Sequence, residues 1–304
     1  MRATVLVLAL LTAIALGLWS DSQYLLLGRN AGMLQHYRLL AGPLPIGEEA
    51  GQSSGLAFDA EHNRLFAIVN RPPRIFELTP DGTPLRSIKL AGFDDTEGIA
   101  YLGANQVAVV SERKATVSWF TIDENTREVD YSAVRSLLVG PYPPNNRGLE
   151  GIAYAPDRGS LFVVKERTPR KIYEIAWPAP TKGPVTVREP WDAEQQPWWG
   201  LQNLSDIYYD PDTGHLFVLS RRSKAVVEYT LEGHEVGRLY LKAGSAGLTR
   251  AIGKPEGLTI SPDGTLYICG EPNQLFLFAP PADRHPATAQ RSSPAKNPRG
   301  AAGD

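Results

Sequence analysis

Glu97-Gly-Ile-Ala-Tyr101 and Glu150-Gly-Ile-Ala-Tyr154 are two copies of a pattern that occurs five times along the chain. The other three copies vary it: Ser54-Gly-Leu-Ala-Phe58, Ser205-Asp-Ile-Tyr-Tyr209 and Glu256-Gly-Leu-Thr-Ile260. Successive copies begin 43 to 55 residues apart. A recurring pattern at this period is the signature of a repeat fold in which each copy forms one unit.

Each copy is followed by a turn and then by a continuous apolar run such as Leu161-Phe-Val-Val164. Runs rich in β-branched and aromatic residues suit strands that are covered on both faces. A third, alternating strand follows, and a more polar fourth strand is visible at Leu85–Leu90 and Val236–Leu241. Four short strands per repeat predict an all-β fold, a β-propeller of five four-stranded blades, with six blades as the alternative.

The fifth repeat stops after its third strand, at Phe278. We expect its missing outer strand to come from the N-terminal segment Met33–Leu40, which would close the ring and protect an open edge. The propeller domain is thus predicted over residues 33–279, after a linker at 21–32. Residues 280–304 are rich in Pro, Ala, Ser, Arg and Lys and are predicted to be a disordered tail.

The N-terminus carries a membrane-targeting pattern. Met1-Arg2 precedes an apolar stretch from Ala3 to Trp19, and polar residues follow. This pattern indicates that residues 1–20 are an N-terminal hydrophobic helix that serves as a signal-anchor, or alternatively a cleaved signal peptide. An anchor, which we favour, would hold the protein in the inner membrane with the propeller facing the periplasm. Cleavage would instead release it into the periplasm.

The overall charge excludes one class of partner. The chain has 31 basic and 33 acidic residues, for a net charge of −2. Non-specific nucleic-acid binding depends on a basic surface that neutralises phosphates. A nucleic-acid partner is therefore not expected.

Aligning the repeats places acidic residues at two equivalent positions, one at the start of the first strand and one at the end of the second. The two positions are 15 or 16 residues apart, the length of a hairpin, so both should lie at the same end of a blade. The glutamates at these positions are Glu97, Glu112, Glu150, Glu166, Glu256 and Glu271. Arginines adjoin the second position: Arg71, Arg113, Arg167 and Arg222.

These charges allow three interpretations. Each glutamate could pair with an arginine and fix the packing of the blades. Several carboxylates could converge on Ca²⁺, which takes six to eight oxygen ligands. The arginines could instead form a site for a phosphate or carboxylate.

A tryptophan-rich segment lies between the third and fourth repeats. It runs from Trp177 to Asn203 and contains Trp191, Trp198 and Trp199. It is either a loop packed on its own aromatic residues, or a lid or partner-binding patch at the rim of the propeller.

The repeat motifs resemble those of the YjiK/CarP family, also called SdiA-regulated proteins. The resemblance rests on the Glu-Gly-Ile-Ala-Tyr copies, Ser111-Glu-Arg113, Lys165-Glu-Arg167 and Lys254-Pro-Glu-Gly-Leu258, and extends from Leu34 to Phe278. It implies a β-propeller of the bacterial envelope. For one branch of the family it also implies a link to calcium responses and a similarity to phytase-like propellers.

Three functions follow as hypotheses. We favour a non-enzymatic envelope protein that binds a cation, Ca²⁺ above all, or a partner at the acidic central site, in a calcium response. The alternative is a Ca²⁺-dependent phosphate-ester hydrolase acting on a phosphorylated small molecule, for which no catalytic residue is assigned. The third is a scaffold that docks another envelope protein.

Overall fold

A computed structural model describes residues 34–281 except 49, 140–147, 168, 178–184 and 196–199. The predicted N-terminal helix, the linker at 21–32 and the tail beyond residue 281 lie outside the described residues. Within the described ranges, no helix has the length and apolar character needed to cross a membrane.

Twenty-one strands in this part of the chain form five sheets, one per blade. Blade 1 contains β2 (Ser53–Asp59), β3 (Arg64–Val69), β4 (Arg74–Leu78) and β5 (Pro84–Ala91). Blade 2 contains β6 (Thr96–Gly103), β7 (Gln106–Ser111), β8 (Thr116–Thr121) and β10 (Arg135–Leu138). Blade 3 contains β11 (Leu149–Ala155), β12 (Ser160–Lys165), β13 (Lys171–Ala176) and β14 (Val187–Arg188).

Blade 4 contains β15 (Asp206–Asp210), β16 (His215–Ser220), β17 (Ala225–Tyr229) and β18 (Glu235–Tyr240). Blade 5 contains β19 (Lys254–Ile260), β20 (Leu266–Glu271), β21 (Gln274–Ala279) and the N-terminal strand β1 (Arg38–Leu44). The short strand β9 (Glu128–Asp130) pairs in parallel with β5 and ties blade 2 to blade 1. Three 3₁₀ segments complete the described elements: Leu34–His36, Tyr131–Ala133 and Ala193–Gln195. The prediction of five four-stranded blades is confirmed.

The ring closes through β1, which pairs antiparallel with β21, as in Leu39 opposite Phe278. The closing strand was predicted correctly, but its predicted bounds, Met33–Leu40, were wrong. The strand begins only at Arg38 because Leu34–His36 form a 3₁₀ turn that buries Leu34 against blades 4 and 5. It continues past Gly42-Pro43 because two register shifts accommodate that pair, which reads from the sequence as a strand breaker.

The hydrophobic core lies between neighbouring blades. Strands β3 and β12 are buried along their whole length, as continuous apolar runs covered on both faces should be. Aromatic contacts span the blade interfaces, as where Phe162 of blade 3 stacks on Tyr209 of blade 4 at 5.7 Å. This packing holds the five innermost strands in fixed positions around the axis.

Most of the innermost strands meet so closely at the axis that no side chain fits between them. A Cβ atom on Gly98 would lie 2.5 Å from the carbonyl oxygen of Glu150 and 3.0 Å from the Cα of Gly151. Only glycine permits this approach. Four of the five copies have glycine there, and the fourth copy has Asp206 instead.

Candidate metal centre

The two repeat-derived positions come together at one end of the propeller, as the hairpin spacing predicts. Asn70, at the end of β3, donates to Glu97 Oε1 on β6 at 2.8 Å. Arg221, at the end of β16, donates to Glu256 Oε1 on β19 at 2.9 Å. Each contact joins the second position of one blade to the first position of the next.

The side chains at the two repeat-derived positions form a ring around the propeller axis, which we call the acidic ring. The carboxylate half of this ring consists of Glu97 and Glu112 together with Asp95 beside them. One oxygen from each lies within 4.8 Å of the others. Neutral amides support them: Asn70 Nδ2 lies 3.0 Å from Asp95 Oδ1, and the Gly148 N–H donates to Glu112 Oε1 at 2.7 Å. These donors orient the carboxylates without neutralising their charge.

Asp95 was not among the residues identified from the sequence. It lies in the connection between blades, two residues before the glutamate of the second repeat, and has a left-handed backbone with φ of 54°. This conformation is uncommon outside glycine, asparagine and aspartate. The acidic run Asp94-Asp95-Thr96-Glu97 was the available signal, but the position has no acidic equivalent in the other repeats.

Glu150 lies beside this half of the ring and is 8% exposed. Among the residues that the structure describes, no hydrogen bond or ion pair reaches its carboxylate. Burial raises the pKa of Glu150 well above its ordinary value, and the charges of Glu97 and Glu112 raise it further. It is a buried carboxyl group without a protein partner in the described ranges, which is costly unless something else neutralises it.

The pKa values of the neighbouring glutamates are also raised. Burial raises the pKa of Glu97 to about 8, and the charges of Asp95 and Glu112 add to the effect. Burial also raises the pKa of Glu112 to about 7, although the hydrogen bond from Gly148 opposes the shift. Without a cation, these two groups therefore hold protons near neutral pH.

The other half of the ring already contains a cation. The Arg221 guanidinium bridges Glu166 Oε1 at 2.8 Å and Glu256 Oε1 at 2.9 Å. Interaction with these carboxylates raises the pKa of Arg221, whereas burial raises the pKa of Glu256 to about 7 against the effect of Arg221. Arg221 occupies a position that holds glutamate in three other blades, so it divides the ring into an ion-paired half and a carboxylate half.

The four predicted arginines do not form one glutamate pair per blade. Arg167 lies 3.2 Å from Glu166, and it is the only one of the four with an ion pair to a predicted glutamate in the described ranges. Arg113 instead contacts Asp94 and approaches Asp95 at 3.7 Å. Glu271 is bound by Lys254. Neither Arg71 nor Arg222 has a side-chain ion pair with a described residue.

Asp206 lies at the propeller axis, where it bonds to the backbone of the innermost strands and is not part of the acidic ring. Its carboxylate accepts hydrogen bonds from the Ile207 N–H at 2.9 Å and from the Leu258 N–H of blade 5 at 2.7 Å. Burial raises its pKa well above the ordinary value despite these bonds. The sequence signal was the replacement of the repeat glycine in the fourth copy, which we did not identify.

A cleft of about 400 Å³ opens between blades 1 and 2, next to the carboxylate half of the ring. It shares Asp95 with that half, and its lining residue Asn70 donates to Glu97. The complete lining is Asn70, Arg71, Pro72, Pro73, Phe93, Asp94, Asp95 and Arg113.

The tryptophan-rich segment is only partly described. The Trp191 ring packs on Tyr229 with 5.7 Å between ring centroids, and it also covers Gly233. Trp191 therefore belongs to the packing between blades 3 and 4. Trp198 and Trp199 lie outside the described residues.

Comparison with known proteins supports both the motifs and the fold. The family model described as SdiA-regulated matches residues 29–279, which confirms the resemblance seen in the repeats. A luciferin-regenerating enzyme has a similar structure, with a TM-score of 0.52 and 11% identity over 80% of this chain and 94% of that one. A gluconolactonase from Xanthomonas campestris gives a TM-score of 0.49 and 17% identity over 83% and 92%. At 11% identity the likeness to the luciferin-regenerating enzyme concerns the fold alone.

Proposed function

The chain belongs to the SdiA-regulated family, and we propose that its propeller binds a divalent cation, Ca²⁺ above all, at Asp95, Glu97 and Glu112. The proposal rests on the convergence of these three carboxylates within 4.8 Å. Oxygens bound to one Ca²⁺ at about 2.3–2.6 Å can be no more than about 5 Å apart. Of the three, only Asp95 has a cationic side chain within 4 Å among the described residues, Arg113 at 3.7 Å.

The donor set favours a hard cation. The three ligands offer carboxylate oxygens only, the chemistry that suits Ca²⁺ and Mg²⁺ rather than softer metals. Ca²⁺ accepts six to eight ligands in variable geometry, whereas Mg²⁺ requires a near-ideal octahedron with shorter bonds. Buried Glu150 adds a fourth carboxyl group beside the three, and a divalent ion there would favour the ionised form of all four.

Raised pKa values make cation binding compete with protons. Because the pKa of Glu97 is about 8 and that of Glu112 is about 7, the cation must displace protons near neutral pH. We therefore expect Ca²⁺ affinity to rise from pH 6 to pH 8. Two calorimetric titrations in buffers of different ionisation enthalpy would measure the protons released.

The decisive experiment measures Ca²⁺ binding to the full chain by calorimetry, together with its thermal midpoint in EDTA, in Ca²⁺ and in Mg²⁺. We expect Ca²⁺ to raise the midpoint more than Mg²⁺ does, and Glu112→Gln to weaken Ca²⁺ binding at least tenfold. The matched control is Glu271→Gln, since Glu271 has the same repeat position but is bound by Lys254. Equal binding by Glu112→Gln and the wild type would refute the proposed site.

We further propose that the propeller faces the periplasm, anchored in the inner membrane by residues 1–20. Calcium sites of extracellular modules work at about 10⁻⁴–10⁻³ M, so a site of modest affinity would respond to external calcium. Protease treatment of spheroplasts tests this placement, because a periplasmic propeller is degraded without lysis.

Calcium-dependent turnover of p-nitrophenyl phosphate would support the alternative function, a Ca²⁺-dependent phosphate-ester hydrolase.

A further inference from the structure

The cleft between blades 1 and 2 adjoins the carboxylates of the proposed cation site. Asp95 lines the cleft and belongs to the carboxylate cluster, and Asn70 lines the cleft while donating to Glu97. A volume of about 400 Å³ lies at the small end of the range typical of small-molecule sites. A molecule in this cleft would therefore lie within reach of the cation.

The cleft has two guanidinium groups that can bind an anion. Arg71 has no side-chain hydrogen bond or ion pair with any described residue and is exposed. Arg113 pairs with Asp94 at 3.2 Å, but both side chains are about half exposed, at 51% and 46%. Such an exposed pair contributes little stability, so a ligand anion can replace Asp94 at low cost. Arginine forks match the oxygens of carboxylate and phosphate groups.

One wall of the cleft is apolar and held in place. Phe93 is 7% exposed and packs edge-on against Tyr131, with 5.1 Å between ring centroids. Pro72 and Pro73 add further apolar surface and lack N–H donors. An inorganic anion alone would leave this wall unused, whereas an organic anion with a flat apolar body would cover it.

We propose that the cleft binds a small organic anion, a phosphate or carboxylate group on an apolar body. Its anionic oxygens would contact both the cation at Asp95 and the guanidinium groups of Arg71 and Arg113. The inference rests on the proposed cation site. Three carboxylate ligands leave coordination positions of Ca²⁺ open, and ligand oxygens can fill them.

Calorimetry on the full chain tests this with phenylphosphonate and benzoate, which present the two anionic groups on the same ring. We expect a saturating concentration of one probe to lower the Kd for Ca²⁺ at least threefold, and saturating Ca²⁺ to lower the Kd of that probe by the same factor. The probe with the larger effect identifies phosphate or carboxylate as the preferred group. Inorganic phosphate should act more weakly than phenylphosphonate because it cannot cover Phe93.

Two arginine variants test whether the enhancement of Ca²⁺ binding by the probe depends on the cleft. Arg71→Gln and Arg113→Gln should each abolish most of the enhancement. Arg71→Gln should leave the Kd for Ca²⁺ alone within about twofold, whereas Arg113→Gln, which removes a positive charge 3.7 Å from Asp95, should lower that Kd. The matched control is Arg222→Gln, since Arg222 is the repeat equivalent of Arg71 and is exposed, but does not line the cleft. It should keep the full enhancement.

The outcomes separate this inference from the cation site. If Ca²⁺ binds with the same Kd with and without both probes, the anion site is refuted and the cation site stands. An equal enhancement in Arg71→Gln, Arg113→Gln and the wild type also refutes it. If Ca²⁺ does not bind at all, both proposals fail together.

Discussion

Replacing Glu97 by glutamine should stabilise the protein at alkaline pH when no divalent cation is present. Glu97 lies in the carboxylate half of the ring, where burial and the charges of Asp95 and Glu112 disfavour its ionised form. Glutamine cannot ionise, and it keeps an oxygen that can accept the bond from Asn70. The substitution therefore removes the repulsion while keeping the shape of the side chain.

The magnitude follows from the pKa of Glu97, which is about 8 in the folded protein against an ordinary value of 4.5. A carboxyl group with a raised pKa binds its proton more tightly when folded, so its stabilising contribution is complete below pH 4.5 and is lost as the pH rises through 8. Linkage makes this loss about 4 kcal/mol in the free energy of unfolding by pH 8. Allowing about 1 kcal/mol for a weaker hydrogen bond, Glu97→Gln should gain about 3 kcal/mol at pH 8 and almost nothing at pH 5.

Urea unfolding of the full chain in EDTA at pH 5 and at pH 8 measures these free energies. The control is Glu271→Gln, which removes a partly exposed ion pair with Lys254 and should change stability by less than about 1 kcal/mol at either pH. With millimolar Ca²⁺ at pH 8 the difference should narrow, by about 1 kcal/mol for a Kd of about 10⁻⁴ M, because the wild type gains binding free energy that the variant lacks.

A destabilised Glu97→Gln at pH 8 in EDTA would show that the Glu97 carboxylate is compensated in the folded state. The raised pKa and the account of the carboxylate half of the ring would then both be wrong. A stabilised variant that gains as much from Ca²⁺ as the wild type does would leave the electrostatics intact but remove Glu97 from the ligand set.

Three further predictions concern the rest of the framework. Gly151→Ala should destabilise the protein by more than about 3 kcal/mol or prevent folding, because its Cβ would collide with Asp206. Gly253→Ala, whose Cβ would meet its nearest atom at 3.9 Å, should be tolerated, and circular dichroism melts compare the two. Arg221→Gln should cost about 3 kcal/mol in urea unfolding at pH 8, since it leaves Glu166 and Glu256 without their shared cation, whereas exposed Arg222→Gln should cost less than about 0.5 kcal/mol. Tyr37→Phe should cost about 1 kcal/mol in the same assay, because the buried Tyr37 hydroxyl donates to the Gly264 carbonyl at 2.9 Å.

The fold was predictable because several independent features of each repeat indicate the same arrangement of strands. Apolar runs such as Leu161–Val164 mark the fully buried second strand, and the turn residues before them mark the hairpin. The end of the pattern at Phe278 predicted the closing strand. The bounds of that strand were not predictable from the pattern, because a 3₁₀ turn, two register shifts and Gly42-Pro43 all depart from strand periodicity.

The candidate site was predictable in position but not in pairing. Hairpin geometry was sufficient to place Glu97 and Glu112 at the same end of the blades. The partner of each glutamate depends on which side chain of the neighbouring blade comes within hydrogen-bonding distance, and that is a property of the assembled ring. Asp95 was not identified because it lies in a connection between blades. That position is not acidic in the other repeats, so comparing the repeats could not single it out.

The departures from the repeat define the site more than the repeat does. A ring with glutamate at every equivalent position would bury many like charges with no compensation, which is unfavourable at neutral pH. Arg221 in blade 4 breaks this symmetry and takes up the negative charge of Glu166 and Glu256. Asn70 in blade 1 supplies a neutral donor where a further glutamate would add charge. Among the described residues, these two departures leave Glu97 and Glu112 without a cationic partner, beside the cleft between blades 1 and 2. That asymmetry is why we propose the cation site at Asp95, Glu97 and Glu112.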